Sequence, residues 1–253
     1  KGHEKLREWA EKSNGTLSTL IIPNVFGAFC KPYYNSVIAT FCHQLNHNEN
    51  PEIHIDAEIK YIYVGNLVEK ICKLINRQKM NKQRINIKAD KCIKVSDILS
   101  KLILFKKSYL ESRIIPELKT NFDVDLFNTF RSFIDFSDLP QQLNSNSDNR
   151  GLLFEIVKEM SGGQTFFSVT KPGIIRGNHF HTSKIERFCV VSGNAIIRLR
   201  KVGDELTREY EVSGDNPMAI DIPIYHTHNI ENIGESELLT LFWSNELFNV
   251  KTP

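Results

Sequence analysis

Residues 173–193 read Gly173-IIRGN-His179-Phe180-His181-TSKI-Glu186-RFCVVS-Gly193, and this stretch decides the fold of the second half of the chain. His179 and His181 are two apart on a strand pattern, so both imidazoles are expected on one face. Glu186 follows five residues later, where the next apolar run starts. A third imidazole, His228, lies in a later segment framed by Pro223 and Asn232. Three imidazoles and a carboxylate from two separate segments suit a borderline divalent metal, with Zn²⁺ ahead of Mn²⁺, Fe²⁺ or Ni²⁺. An isolated H-x-H pair in a β-protein is more often polar decoration; the complete string carries the weight.

Around this stretch run short alternating segments: TFFSVT (165–170), ERFCVV (186–191), AIIRLRKV (195–202), REYEV (208–212), MAIDI (218–222) and ELLTLFW (237–243). Glycine-centred turns at Gly193, Gly214 and Gly234 separate several of them. Many short strands in so few residues predict a β-sandwich or barrel. Upstream, FSDLPQQLNSNSDNRG (136–151) is polar and reads as a linker or an irregular lead-in strand. Before it the rhythm changes to α/β. Residues 3–12 place Leu6, Trp9 and Ala10 on one helical face, and Asn14-Gly15 stops the helix. The apolar run TLSTLII leads into Pro23-Asn24-Val25-Phe26-Gly27, and a second helix is expected from a cap at Asn35-Ser36 through VIATFCHQL. EIHI (52–55) and YIYV (61–64) read as strands, NLVEKICKLI (66–75) as a helix, and 95–110 and 111–130 as helical. This alternation predicts a parallel α/β sheet.

At 253 residues, 41% hydrophobic and 25% charged, the chain is long enough for two modest domains and is not disordered. No window approaches the ~18–20 unbroken apolar residues of a membrane-spanning helix, so no membrane insertion is expected. Lys plus Arg (32) nearly balance Asp plus Glu (30), which argues against a wholesale nucleic-acid binder. The balance is uneven: 22 basic and 17 acidic residues lie in 1–150, against 10 and 13 in 151–253. Residues 70–107 hold twelve Lys or Arg with only Asp90 and Asp97 as acids, but no aromatic interleaving for base stacking, so no nucleic-acid partner is expected. Five cysteines without a C-x-x-C pair, and no charged-then-apolar leader, favour a reduced, cytoplasmic protein. The chain opens at Lys1 inside a helical pattern, without an initiator Met, and is expected to be part of a longer product.

The string 173–193 fits G-x₅-H-x-H-x₄-E-x₆-G residue for residue, and Pro223-Ile-Tyr-His-Thr-His228-Asn-Ile-Glu-Asn232 fits P-x-G-x-x-H-x-x-x-N except that Tyr225 stands at the glycine. The two together resemble the paired signatures of the cupin family, a double-stranded β-helix. The resemblance implies His179, His181, Glu186 and His228 as metal ligands. The longer stretches KPGIIRGNHFHTSKIERFCVVSGNAIIRLR, VSGDNPMAIDIPIYHTHNIENIGESELLTLFWSNELF, PNVFGAFCKPYYNSVIATFC and KYIYVGNLVEKI are similar to the CapF family of bifunctional capsular polysaccharide synthesis enzymes. In that family an extended short-chain dehydrogenase/reductase (SDR) domain of Rossmann type precedes the cupin. The similarity implies the C-terminal, substrate-binding part of the reductase in 1–137, a linker in 138–149 and the cupin in 150–253.

The implied function is nucleotide-sugar modification in surface polysaccharide synthesis. The cupin would epimerise C3 of a UDP-2-acetamido-2,6-dideoxy-4-ketohexose, and the reductase would reduce C4 with NADPH. Departures bear on the second step: Gly65-Asn66 replaces an acidic pair, and the glycine-rich dinucleotide fingerprint and the Tyr-x-x-x-Lys pair are absent. In the family these last two precede the segment matching Gly2-His3-Glu4, and NELFNVKTP stops short of the family's tail, so both ends look cut. NADPH is therefore not expected to bind this chain. Arg176 matches the Arg-Gly-x-His pattern of sugar-nucleotide cupin epimerases, where it holds diphosphate; otherwise it is a surface salt-bridge residue. Asn24, and with it Asn35, is a candidate nucleotide-sugar contact or a turn former. Tyr225 and His226, flanking His228, are the candidate acid/base pair or simple packing residues. A UDP-sugar substrate and a homodimer are expected. The alternatives are a non-catalytic sugar-nucleotide-binding or dimerising remnant, and a metal-dependent cupin dioxygenase.

Overall fold

The computed structural model describes residues 2–15, 17–76 and 83–247. Helix and sheet are mixed, strand pairing is mostly antiparallel, and the chain divides into two compact units. The first comprises Lys1–Lys107 with Leu118–Leu139, the second Ser108–Glu117 with Pro140–Pro253.

The first unit contains helices α1 (Gly2–Lys12), α2 (Val37–Asn46), α3 (Val64–Ile75), α4 (Val95–Phe105) and α5 (Asn121–Arg131). Its strands are β1 (Ser18–Ile21), β2 (Asn24–Phe26), β3 (Glu58–Tyr63), β4 (Gln83–Asn86) and β5 (Lys91–Lys94). They form two small sheets: β1 pairs parallel with β4, and β2 runs parallel to β3, whose other edge takes β5 antiparallel. Ser36 caps α2, its hydroxyl accepting from the Ala39 amide, as the sequence predicts. Ile38, Phe41, Cys42 and Leu45 of α2 meet Ile98, Leu102 and Phe105 of α4 and Leu126, Phe127 and Phe130 of α5 in a buried core.

Several sequence expectations are corrected here. Residues 52–55 are not a strand; β3 begins at Glu58 and buries Tyr61 and Ile62 instead. The helix expected over 95–110 ends at Phe105 and widens into a π turn, Lys106–Glu111, while only Asn121–Arg131 of the following segment is α-helical. On α1 only Ala10 is buried; Leu6 and Trp9 are exposed. Many cations of the basic stretch are engaged on the surface, as Lys70 with Asp90, Lys73 with Glu69 and Lys101 with Asp123; its residues 77–82 lie outside the described set.

The second unit is all β: β6 (Ser145–Asp148), β7 (Gly151–Lys158), β8 (Gln164–Thr170), β9 (Ile175–His179), β10 (Glu186–Ser192), β11 (Asn194–Lys201), β12 (Thr207–Ser213), β13 (Ala219–Ile222), β14 (His226–Asn232) and β15 (Leu238–Ser244). Part of the stretch read as a linker is therefore sheet, because Ser145–Asp148 pairs antiparallel with β7 as an exposed edge strand. The unit also recruits Ile115, whose amide donates to the Lys158 carbonyl and whose carbonyl accepts from the Met160 amide. One sheet has the order β13-β10-β15-β8-β7-β6, the other β12-β11-β14-β9. Their facing side chains share one core: Phe188, Val190, Ile222 and Leu238 from the first sheet, Ala195, Ile197, Leu199, Val212 and Ile230 from the second. Alternation sends every second residue of β11 (Ala195, Ile197, Leu199) into it. No described helix is long and apolar enough to cross a membrane.

Candidate metal centre

His179 ends β9 and faces His228 of β14 across an antiparallel pair. Gly177 permits that approach: its φ is +98°, and a Cβ there would sit 2.8 Å from the His228 carbonyl oxygen. A register shift follows, so Asn229 faces Gly177 and Asn178 is the extra residue of a bulge, at φ 69°. The Asn229 amide donates to the Asn178 side-chain oxygen at 2.8 Å. His181 lies just past β9, not on it, yet its ring centroid is 4.9 Å from that of His179 and 5.6 Å from that of His228. Glu186 opens β10 and so comes from the opposite sheet.

One ligand atom from each of these four side chains lies within 4.8 Å of every other. The Glu186 Oε2 atom is 3.0 Å from His181 Nε2 and 3.3 Å from His228 Nε2. These three atoms are buried and close together, and none meets a well-directed hydrogen-bond partner. Buried polar atoms in that condition are costly. Three imidazole nitrogens and one carboxylate oxygen are a donor set that fits Zn²⁺ or a similar ion. Burial works to raise the Glu186 pKa, but His228, His181 and His179 outweigh it and hold the carboxyl below its ordinary range. Burial, reinforced by the neighbouring imidazoles, lowers the pKa of His179 and favours the neutral form that coordinates metal. Phe188, two residues after Glu186 on β10, packs edge-on to His228 at 5.4 Å and walls the centre on its core side.

A cavity of about 460 Å³ opens beside the centre, with His179, Glu186 and Phe188 in its wall. Its lining mixes apolar Leu153, Phe166, Ile230 and Phe242 with polar Asn146, Ser168, Arg150 and Arg176. The size is ordinary for a small-molecule site. Strict alternation would put Arg176 and His179, three apart, on opposite faces. The extra residue at the bulge restores them to one wall, which no sequence period reveals. Arg150 and Phe166 were also missed, since nothing local marks a turn arginine or a strand phenylalanine as facing a cavity.

Tyr225 and His226 do not line this cavity. Tyr225 takes the left-handed φ of 58° that a glycine would take, held by its amide donating to the His181 carbonyl and its carbonyl accepting from the Val202 amide. The substitution is thus accommodated with the loop conformation kept. His226 Nδ1 is 2.9 Å from the Ile224 carbonyl. Asn24 and Asn35 belong to the first unit. Asn24 is the exposed first residue of β2, not part of a loop, because Val25 and Phe26 pair with β3. Asn35 is exposed at φ 54°, one residue before the cap.

Residues 146–253 match the polysaccharide biosynthesis C-terminal domain family. The fold and its three-histidine, one-glutamate centre therefore define a polysaccharide-biosynthesis domain carried behind an α/β unit. The capsular polysaccharide assembling protein CapF of Staphylococcus aureus is 38% identical, with a TM-score of 0.90, over 100% of this chain and 69% of that one. The chain belongs to the CapF family. A UDP-2-acetamido-2,6-beta-L-arabino-hexul-4-ose reductase of Pseudomonas aeruginosa is 29% identical over 92% of this chain, which spans 62% of that relative's length. The spore coat polysaccharide biosynthesis protein SpsL of Bacillus subtilis is 26% identical over 45% of this chain and 82% of its own.

Proposed function

We propose that the chain acts on nucleotide sugars in capsular or surface polysaccharide synthesis, its cupin barrel (150–253) inverting C3 of a UDP-2-acetamido-2,6-dideoxy-4-ketohexose. The observation that carries this is the convergence of His181 Nε2, Glu186 Oε2 and His228 Nε2 at the end of a cavity lined by arginine and phenylalanine. The name borne by the Pseudomonas relative supplies the sugar class, and that of the Staphylococcus relative the capsular setting. In this reading the α/β unit is the substrate-binding part of an SDR-type reductase, the linker is shorter than 138–149 because Ser145–Asp148 belongs to the β unit, and C4 reduction with NADPH belongs to longer relatives.

A 4-keto group acidifies the C3 proton; a base removes it, and return of a proton to the opposite face inverts the centre. His226 and Tyr225 are the proposed proton carriers. A carbonyl only accepts, so the Ile224 oxygen assigns the proton of His226 to Nδ1 and leaves the Nε2 lone pair to act as base. Zn²⁺ held by His179, His181, Glu186 and His228 would supply Lewis-acid polarisation. His179 and Glu186 belong to the cavity wall, as do Phe166, Phe188 and Phe242.

The test is deuterium incorporation at C3 from D₂O, followed by NMR, for wild type, His226→Ala and Tyr225→Phe. Wild type should exchange, and loss of the base should slow exchange by ~10²–10⁴-fold. A second reading, a non-catalytic sugar-nucleotide-binding module, is favoured by one observation: neither Tyr225 nor His226 lines the cavity. Ligand binding without any exchange by wild type would establish it instead.

A further inference from the structure

We propose that His43 and His47, with Glu49 and Asp135, form a second site for a zinc-type divalent ion at the C-terminal end of α2, wholly within the first unit. The site is separate from the barrel centre and independent of the functional reading above.

His43 lies in the last turn of α2, and His47 is the C-cap, one turn further on. Residues four apart share a helix face, and here the two rings stack with centroids 4.0 Å apart and planes tilted by 31°. The backbone amide and the Nδ1 of His47 both meet the His43 carbonyl, at 3.0 and 2.8 Å. A carbonyl only accepts, so Nδ1 carries the proton and the His47 lone pair is on Nε2. A backbone carbonyl on the far nitrogen is a common way of orienting a metal-binding histidine. Each Nε2 faces a carboxylate beyond hydrogen-bond distance: Glu49 Oε1 is 3.9 Å from His43, and Asp135 Oδ2 is 3.7 Å from His47. The Tyr33 hydroxyl donates to the other Glu49 oxygen, and its ring packs edge-on to His43 at 5.6 Å.

The charges at this end of the helix call for a cation. Among the described residues no Lys or Arg forms an ion pair with Glu49 or Asp135. With neutral imidazoles, two carboxylates therefore stand uncompensated beside the partial negative charge of the helix C-terminus. Imidazole nitrogens with carboxylate oxygens suit Zn²⁺ ahead of Mg²⁺, which prefers an octahedron of oxygens. Ligands ~2.0 Å from a tetrahedral zinc are roughly 3.3 Å apart, so each histidine–carboxylate pair need close by only about half an ångström. The ion would tie the end of α2 to the segment leaving α5. Asn46 already makes that link, its side-chain amide donating to the Cys42 and Phe130 carbonyls at 2.8 and 3.4 Å. His47, Glu49 and Asp135 are exposed, so the site is expected to fill from added Zn²⁺ and to empty in buffer without it.

The experiment is calorimetric titration of Zn²⁺ into the chelator-stripped 253-residue chain, as wild type and as His181→Ala, which disables the barrel centre. His181→Ala should bind one Zn²⁺ per chain at micromolar concentration, and excess Mg²⁺ should not compete. Adding His43→Ala or His47→Ala should weaken that binding at least ~10-fold, no less than the loss of an outer-shell partner. Adding His54→Ala, an exposed histidine elsewhere in the unit, should leave it unchanged. Added Zn²⁺ should also raise the unfolding transition of the first unit in His181→Ala, and not when His47→Ala is added. Since His47 is exposed, the transition without metal should be the same in both. No Zn²⁺ binding by His181→Ala, half an ion per chain, or undiminished affinity on adding His47→Ala would each overturn the site. The two metal assignments fail separately. If wild type binds no more ions than His181→Ala, and that ion is lost on adding His47→Ala, the barrel centre fails and the α2 site stands.

Discussion

Among the four candidate ligands, His181 is the one whose loss should tell most, because it is buried and outside any strand, so no sheet ladder fixes it. His181→Ala is expected to reduce bound metal from near-stoichiometric to traces by elemental analysis, and wild type purified metal-free without chelator would refute the assignment. Gly177 controls the same site from the backbone. Gly177→Ala would put a methyl 2.8 Å from the His228 carbonyl at a φ of +98°. The strain should cost ~1–3 kcal/mol in chemical denaturation and lower metal occupancy as β9 shifts off β14. Normal stability with full occupancy would show that the bulge tolerates a side chain.

The elements are stabilised in different ways. Helix α5 starts with a capping box: the Thr120 hydroxyl accepts from the Asp123 amide and the Asp123 carboxylate accepts from the Thr120 amide. Thr120→Ala should cost ~0.5–2 kcal/mol in denaturant unfolding. Burial works to raise the Asp123 pKa, but Lys101 and Thr120 overcome it and leave the carboxyl below its ordinary value. A carboxyl lowered on folding stabilises the fold above its unfolded pKa, about 3.9, and that contribution fades as pH falls through the lower folded value. The stability gap between wild type and Asp123→Asn should therefore be full at neutral pH and close in acid. A gap independent of pH would assign the effect to packing. In the β unit, the core between sheets carries the load, and Ile197→Ala should cost ~2–5 kcal/mol, because β11 sits mid-sheet and cannot collapse into the space.

For the whole molecule, the two units predict separable responses to metal. A ligand that binds only the native state raises stability by mass action. Scanning calorimetry with and without chelator should move the transition of the β unit, which holds all four candidate ligands, and leave that of the α/β unit in place. A uniform shift would show the units unfolding as one. The chain carries no glycine-rich phosphate loop in 1–27, so micromolar NADPH is expected to leave its fluorescence and stability unchanged.

The sequence by itself picked out the four side chains that converge and the β character of the second half, because side-chain chemistry and a period of two are local properties. The convergence of His179, His181, Glu186 and His228 was legible from the paired cupin-like strings, and the strands around Ala195–Leu199 from alternation. The helix at 37–46 was legible from its Ser36 cap. Tertiary structure alone decided which residues face the cavity. Asn178, an extra residue at the bulge, turns Arg176 to the wall of His179, and antiparallel pairing brings the β6–β7 turn with Arg150 to that cavity. Likewise 52–55 carries strand propensity yet is no strand, because 58–63 finds partners on both edges and buries Tyr61 and Ile62. Pairing and bulges are long-range choices, set by which edges and carbonyls meet, and the local pattern holds no record of them.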